Sequence, residues 1–128
     1  MNTLEFRFSF YASDFDRSVR FYKDVLGMQL LSGWDRPDGK GALLMVGGSA
    51  VVEIYGAADG ETYSGPKPAA VHIALRLATA AEVNGYYNEY YEAGEHVEGP
   101  PEDRPWGHRS FIVYDPDGIP VHIYCEIK

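Results

Sequence analysis

Two short stretches of this 128-residue chain share one pattern. Val52-Glu53-Ile54-Tyr55 and Val121-His122-Ile123-Tyr124 each set an ionisable residue between branched apolar ones, with a tyrosine two residues further on. Two more ionisable residues, Arg7 and His72, lie in alternating stretches, Leu4 to Tyr11 and Val71 to Leu77. Carboxylate and imidazole complement each other as metal ligands or as acid and base, since both offer lone pairs and exchange protons. A guanidinium offers no lone pair and stays protonated. Arg7 therefore suits an ion pair with Glu53, or a forked hydrogen bond to an anionic group.

The elements that must position these residues occur twice. In the first stretch Leu4, Phe6, Phe8 and Phe10 face one way and Glu5, Arg7, Ser9 and Tyr11 the other, as on a half-buried strand. Ser13 and Asp14 offer N-cap chemistry for a helix whose face is Phe15, Val19, Tyr22 and Leu26, and Gly27 stops it. Strands are expected over Met28 to Ser32, Ala42 to Val46 and Ala50 to Tyr55, with turns at Pro37-Asp38-Gly39 and Gly47-Gly48. The pattern restarts at Ala69. Val71, Ile73, Leu75 and Leu77 alternate with His72, Ala74 and Arg76. Thr79-Ala80-Ala81-Glu82 reads as a capping box for a helix with Val83, Tyr86 or Tyr87, and Tyr90 on its apolar face, closed by Gly94. Gly99 to Gly107 reads as a long rigid loop, followed by strands over His108 to Tyr114 and Pro120 to Glu126.

The chain is thus βαβββ twice, a duplicated half-domain. Each module has one helix and one sheet, so the apolar strand faces must lie under the helices. The expected fold is α+β: two tandem βαβββ modules forming a curved, cavity-enclosing mixed sheet with helices on the outer face. Module one covers about 1–56, a linker about 57–68 and module two about 69–128 of a single domain. Arg7 and His72 hold equivalent positions in the first strands, and Glu53 and His122 in the last. All four, with Tyr55 and Tyr124, lie on the faces turned away from the helices.

A net charge of −8 without a basic stripe argues against nucleic acid. No apolar run reaches the roughly 20 residues of a membrane helix, and the N-terminus has no secretory pattern. With one cysteine, Cys125, no internal disulfide can form, and a cytoplasmic location is expected. Alternation puts Cys125 on the helix side, as a buried inert thiol. Asp115-Pro116-Asp117-Gly118 is simplest as a tight turn.

Several stretches resemble the vicinal oxygen chelate superfamily of glyoxalases, extradiol dioxygenases, fosfomycin-resistance and bleomycin-resistance proteins. They are Asp14-Phe15-Asp16-Arg17-Ser18-Val19-Arg20-Phe21-Tyr22, Leu26-Gly27, His72-Ile73-Ala74, Pro105-Trp106-Gly107 and Phe111-Ile112-Val113-Tyr114-Asp115-Pro116-Asp117-Gly118. The resemblance implies ligand positions at Arg7, Glu53, His72 and His122. His or Gln is usual in the first slot and Glu in the last, so this chain departs at Arg7 and at His122. Glu53, His72 and His122 still make a set suited to a divalent transition metal such as zinc, nickel, iron, manganese or cobalt. An Arg7–Glu53 pair instead implies a cavity without metal.

Two readings follow from that resemblance. One is a glyoxalase-like lyase or isomerase in which a divalent ion chelates vicinal oxygens of the substrate. Glu53 or His122 then acts as base, and Arg7, Tyr55, Trp106 and Tyr124 hold the substrate; dioxygenase-like chemistry is a variant. The other is a metal-free binding protein of the bleomycin-resistance type, with Tyr55, Tyr124, Trp34 and Trp106 lining the pocket. Either takes a small molecule, and the family implies a homodimer. The run Tyr86 to Tyr91 is a helix face that could serve as a dimer contact.

Overall fold

The structure is a computed structural model and describes residues 1–2, 4–67 and 70–127. The restart expected at Ala69 lies outside the described residues. The chain divides into two compact units, Met1–Pro68 and Ala69–Lys128.

In the first unit β1 (Phe6–Tyr11) leads to α1 (Phe15–Arg20), which continues as a π-helical turn over Phe21–Val25. β2 (Gln29–Arg36), β3 (Gly39–Val46) and β4 (Ala50–Gly56) follow. Their order in the sheet is β1-β4-β3-β2, with β1 and β4 parallel and the other pairs antiparallel. The second unit repeats the order: β5 (Ile73–Arg76), α2 (Ala80–Glu92), β6 (Val97–Asp103), β7 (His108–Tyr114) and β8 (Pro120–Glu126), arranged β5-β8-β7-β6. The strands are therefore hydrogen-bonded as two four-stranded mixed sheets, one per module.

Capping chemistry sets both helix starts. The Asp14 carboxylate accepts from the Arg17 amide, and the Thr79 hydroxyl accepts from the Glu82 amide at 3.2 Å while donating to the Glu82 carboxylate at 3.1 Å. Gly27 and Gly94 stop the helices with φ of +72° and +79°. The buried face of the first helix is Ser18, Phe21 and Tyr22, whereas Phe15, Val19 and Leu26 are half-buried. The π turn bears on Leu26 alone, since Phe15 and Val19 precede it. The Leu26 amide bonds back to the Phe21 carbonyl at 3.0 Å, five residues earlier, so the extra residue rotates the last turn.

Each helix covers one sheet face, α1 against β4 and α2 against β6, β7 and β8. Under α1 lie Phe10, Ala42, Leu44, Val52 and Ile54, and under α2 lie Phe111, Val113, Val121, Ile123 and Cys125, all buried. Tyr87 and Tyr90 pack their rings on Phe111, with centroids 5.4 and 6.1 Å away, while Tyr86 and Tyr91 are exposed. Leu4 and Phe6 share the core parity of β1 yet are exposed, because the strand and its pairing begin only at Phe6.

The stretch expected as a loop is partly a strand. β6 runs through Pro100 and Pro101 with a register shift between Glu98 and Glu102. An edge strand tolerates proline because its outward amides have no strand partner.

Candidate functional site

The open face of the first sheet gathers Arg7, Ser9 and Tyr11 from β1 with Glu53 and Tyr55 from β4. Parallel pairing sets Ser9 opposite Glu53 and Tyr11 opposite Tyr55. The Ser9 hydroxyl donates to Glu53 Oε1 at 2.8 Å, and Arg7 Nη1 donates to Oε2 at 3.1 Å. Arg7 Nε also donates to Glu5 Oε1 at 2.7 Å. Glu53 is only 8% exposed. Burial pushes its carboxyl up, but hydrogen bonds from Ser9 and Tyr55 and the charge of Arg7 outweigh that and hold it below the ordinary carboxylate value. The same contact with Glu53, aided by burial, raises the Tyr55 phenol.

Further along this face the aromatic residues form a series. Tyr63 stacks on Tyr11 at 4.8 Å, Tyr11 packs tilted against Tyr55 at 5.0 Å, and Trp34 meets Tyr55 edge-on at 6.3 Å. Trp34 lies over Gly41, its strand partner, where any Cβ would overlap the indole.

In the second unit the pairing repeats, and His122 stands opposite Ala74 with His72 two residues earlier in the chain. His72 Nδ1 and His122 Nε2 are 2.8 Å apart, and the rings stack at 4.9 Å. Burial first, then the neighbouring charges of His72 and Arg104, lower the His122 pKa; Glu98 opposes them. Tyr124 stacks on His108 at 4.4 Å.

A cavity of about 510 Å³ opens beside His122, lined by Glu98, Pro100, Glu102, Arg104, Trp106 and Ile112 among others. Arg104 is clamped here: Nε donates to Ser110 Oγ at 3.0 Å, Nη2 to the Ser110 carbonyl at 3.3 Å and Nη1 to Glu102 Oε2 at 3.1 Å. The Tyr114 hydroxyl donates to Glu98 Oε2 at 2.5 Å, which raises its pKa. Trp106, 68% exposed, stands at the cavity mouth in the turn closed by the Gly107 amide on the Arg104 carbonyl.

Within the first unit the structure joins Arg7, Glu53 and Tyr55. Within the second it joins His72 to His122 and sets Trp106 with His122 on one cavity, while Tyr124 stacks elsewhere. Sequence reasoning did not single out Ser9, Glu98, Arg104, Ser110 or Tyr114. Alternation could have marked Ser9 and Ser110, which share parity with Arg7 and His108, but nothing in β6 announced Glu98. Among the described residues no group of three or more His, Cys, Asp or Glu side chains is placed to hold a metal ion. The Asp115 carboxylate accepts from the Asp117 and Ile119 amides, both at 2.8 Å, as a tight turn requires.

Two βαβββ units, each with a helix on one sheet face and polar or aromatic side chains on the other, define the class of fold. Residues 6–123 match the Glyoxalase/Bleomycin resistance protein/Dioxygenase superfamily, and the chain belongs to it. No curated protein matches the chain. Several solved structures are similar. A glyoxylase/bleomycin resistance protein/dioxygenase domain from Frankia sp. EAN1pec has 16% identity and a TM-score of 0.78, over 100% of this chain and 94% of that one. Lactoylglutathione lyase from Agrobacterium tumefaciens has 20% identity and a TM-score of 0.69, over 94% and 91%. TioX from Micromonospora sp. ML1 has 22% identity and a TM-score of 0.67, over 96% and 98%. At these identities the likeness establishes the fold.

Proposed function

We propose that this chain is a small-molecule-binding member of the superfamily that acts without a protein-bound metal. The observation that carries this reading is the engagement of Glu53. Its two oxygens accept from Ser9 and Arg7, with Tyr55 as a third partner. A metal ion taken up by Glu53 must displace the guanidinium and then face it. Near a protein surface two unit charges 4 Å apart repel by about 4 kcal/mol, and a divalent ion doubles that. The donor set of the first unit therefore does not fit a divalent cation.

The cavity of the second unit is of the size that holds a small ligand. Trp106 offers a ring face there. Glu98 and Glu102 offer acceptor oxygens, and His122 an imidazole of lowered basicity. Binding and sequestration need no more than this.

One observation favours a second reading. His72 Nδ1 and His122 Nε2 meet at 2.8 Å, a hydrogen bond between two ring nitrogens that are each a type of metal ligand once the shared proton is lost. In a glyoxalase-like enzyme His72 and His122 would hold the ion, which would supply Lewis-acid stabilisation of charge on vicinal oxygens. His122 would also be placed to move a proton.

Elemental analysis separates the two. Stripped protein without a histidine tag is offered nickel, zinc, iron, manganese and cobalt one at a time. The binding reading expects no near-stoichiometric uptake. Uptake that His72→Ala and His122→Ala each abolish would overturn it in favour of the enzyme.

A further inference from the structure

The outer face of α2 is built against the helix's own stability. Residues 77–103 hold seven carboxylates and no lysine or arginine, so most of the chain's net charge of −8 arises there. α2 contributes Glu82, Glu89 and Glu92. Glu82 is accounted for, because it completes the capping box with Thr79 at the positive end of the helix dipole. Glu89 and Glu92 stand in the last turn, at the negative end, and that turn has no basic residue. Gly85 weakens the helix too, since a glycine in a helix interior costs backbone entropy. Among the described residues no neighbouring element lies within 4 Å of where its Cβ would stand, so no close approach inside the chain requires it. Helical periodicity sets Glu82, Gly85, Glu89 and Glu92 on one outward line, all exposed. Tyr86 flanks that line on one side and Tyr91 on the other, 41% and 65% exposed. Tyr91 is backed by Tyr87, stacked at 5.9 Å, and Tyr87 by Phe111 at 5.4 Å, so the outermost ring is braced from the core.

We propose that this face docks an arginine-rich segment of a partner protein. Charge complementarity selects that occupant. A guanidinium meets a carboxylate by a forked hydrogen bond and lays its plane on an aromatic ring, and this face offers both groups side by side. Bound there, its charge offsets Glu89 and Glu92 at the end of the dipole where α2 has no cation of its own. Gly85 leaves room for the partner's backbone to approach between the two tyrosines. A second copy of the chain is a poor occupant. A two-fold contact would lay this acidic line against itself, and like charges face to face repel. α2 covers the apolar face of its sheet, opposite to His122, so this surface goes beyond the small-molecule site and does not depend on what that site binds.

The probe is a fluorescein-labelled peptide of five Arg-Gly repeats, with its citrulline counterpart as the uncharged control, read by anisotropy at about 0.15 M salt. The arginine peptide is expected to bind saturably, and the citrulline peptide about tenfold or more weaker. Glu89→Gln with Glu92→Gln, and separately Tyr86→Ser with Tyr91→Ser, should each weaken the arginine peptide by about fivefold or more. Asp24→Asn with Asp38→Asn changes the net charge equally, at exposed carboxylates of the first unit, and should leave the affinity within about twofold. Melting curves accompany every variant. The glutamine pair should melt no lower than the wild type, since it removes charge from the wrong end of the dipole, and it keeps the test open if the serine pair does not fold. No saturable binding, equal binding of the two peptides, an equal loss in the first-unit pair, or indifference to the serine pair would each overturn the docking surface. So would a dimer in sedimentation that the serine pair dissolves, which would give the face to a second copy.

Discussion

Arg7 Nη1 and Glu53 Oε2 lie 3.1 Å apart across the parallel pair of β1 and β4, and Ser9 holds the other carboxylate oxygen from the position directly opposite. The pair is asymmetric. Glu53 is buried and Arg7 is 41% exposed in its side chain, so the carboxylate depends on its partners more than the guanidinium does.

The pH dependence of stability should carry this signature. The Glu53 carboxyl titrates below its ordinary value of 4.5 in the folded chain. Its contribution is fully present above that value and is lost as pH falls through the folded pKa. Thermal melts between pH 7 and pH 3 should show a steeper acid loss in the wild type than in Glu53→Gln. Equal slopes would mean that the carboxylate is not held as described.

Ser9→Ala removes one donor from a buried carboxylate. It should cost about 1.5–3 kcal/mol at pH 7, the range for hydrogen bonds to charged groups. Denaturant midpoints measure it, and a change below a few tenths would show that solvent replaces the hydroxyl.

His122 should behave in the opposite sense to a histidine that gains a charged partner. Its folded pKa lies below 6.5, so the folded chain resists protonation there. Stability is full above the unfolded value and declines as pH falls through 6.5 toward the folded pKa. His122→Asn should flatten urea midpoints between pH 7.5 and 5.5 relative to the wild type. An unchanged decline would assign the acid sensitivity to another group.

Phe111 is fully buried beneath Tyr87 and Tyr90. Phe111→Ala should cost about 3–5 kcal/mol by leaving a cavity between α2 and its sheet. Thr79→Ala removes the α2 cap and should cost about 1 kcal/mol. Chemical denaturation of the two variants should rank them in that order.

How far the sequence reaches differs from element to element. Period-2 alternation is a property of the strand itself. It correctly placed Phe10, Val52 and Ile54 under a helix and Arg7, Glu53 and Tyr55 on the other face. Asp14, Thr79, Gly27 and Gly94 marked the helix ends because caps and positive φ are local requirements. The duplication was legible because both modules repeat these local signals in the same order.

Neighbour relations were not legible in the same way. Alternation says which way a side chain points but not which strand lies beside it, so the order β1-β4-β3-β2 and the Ser9–Glu53 register came only from the folded sheet. β6 was read as a loop because Gly99, Pro100 and Pro101 oppose a strand, and only its place at the sheet edge makes one acceptable. The π turn at Phe21–Val25 rotates the end of the first helix in a way that 3.6-residue spacing cannot express. The sequence by itself determined the modules and the faces their ionisable residues occupy, since these follow from local steric and solvation preferences. Only the tertiary structure decided that Arg7 and Ser9 engage Glu53, that Arg104 is clamped on Ser110 and that Trp34 lies on Gly41. Each of those contacts joins residues from different strands, and it exists only once pairing has set the register.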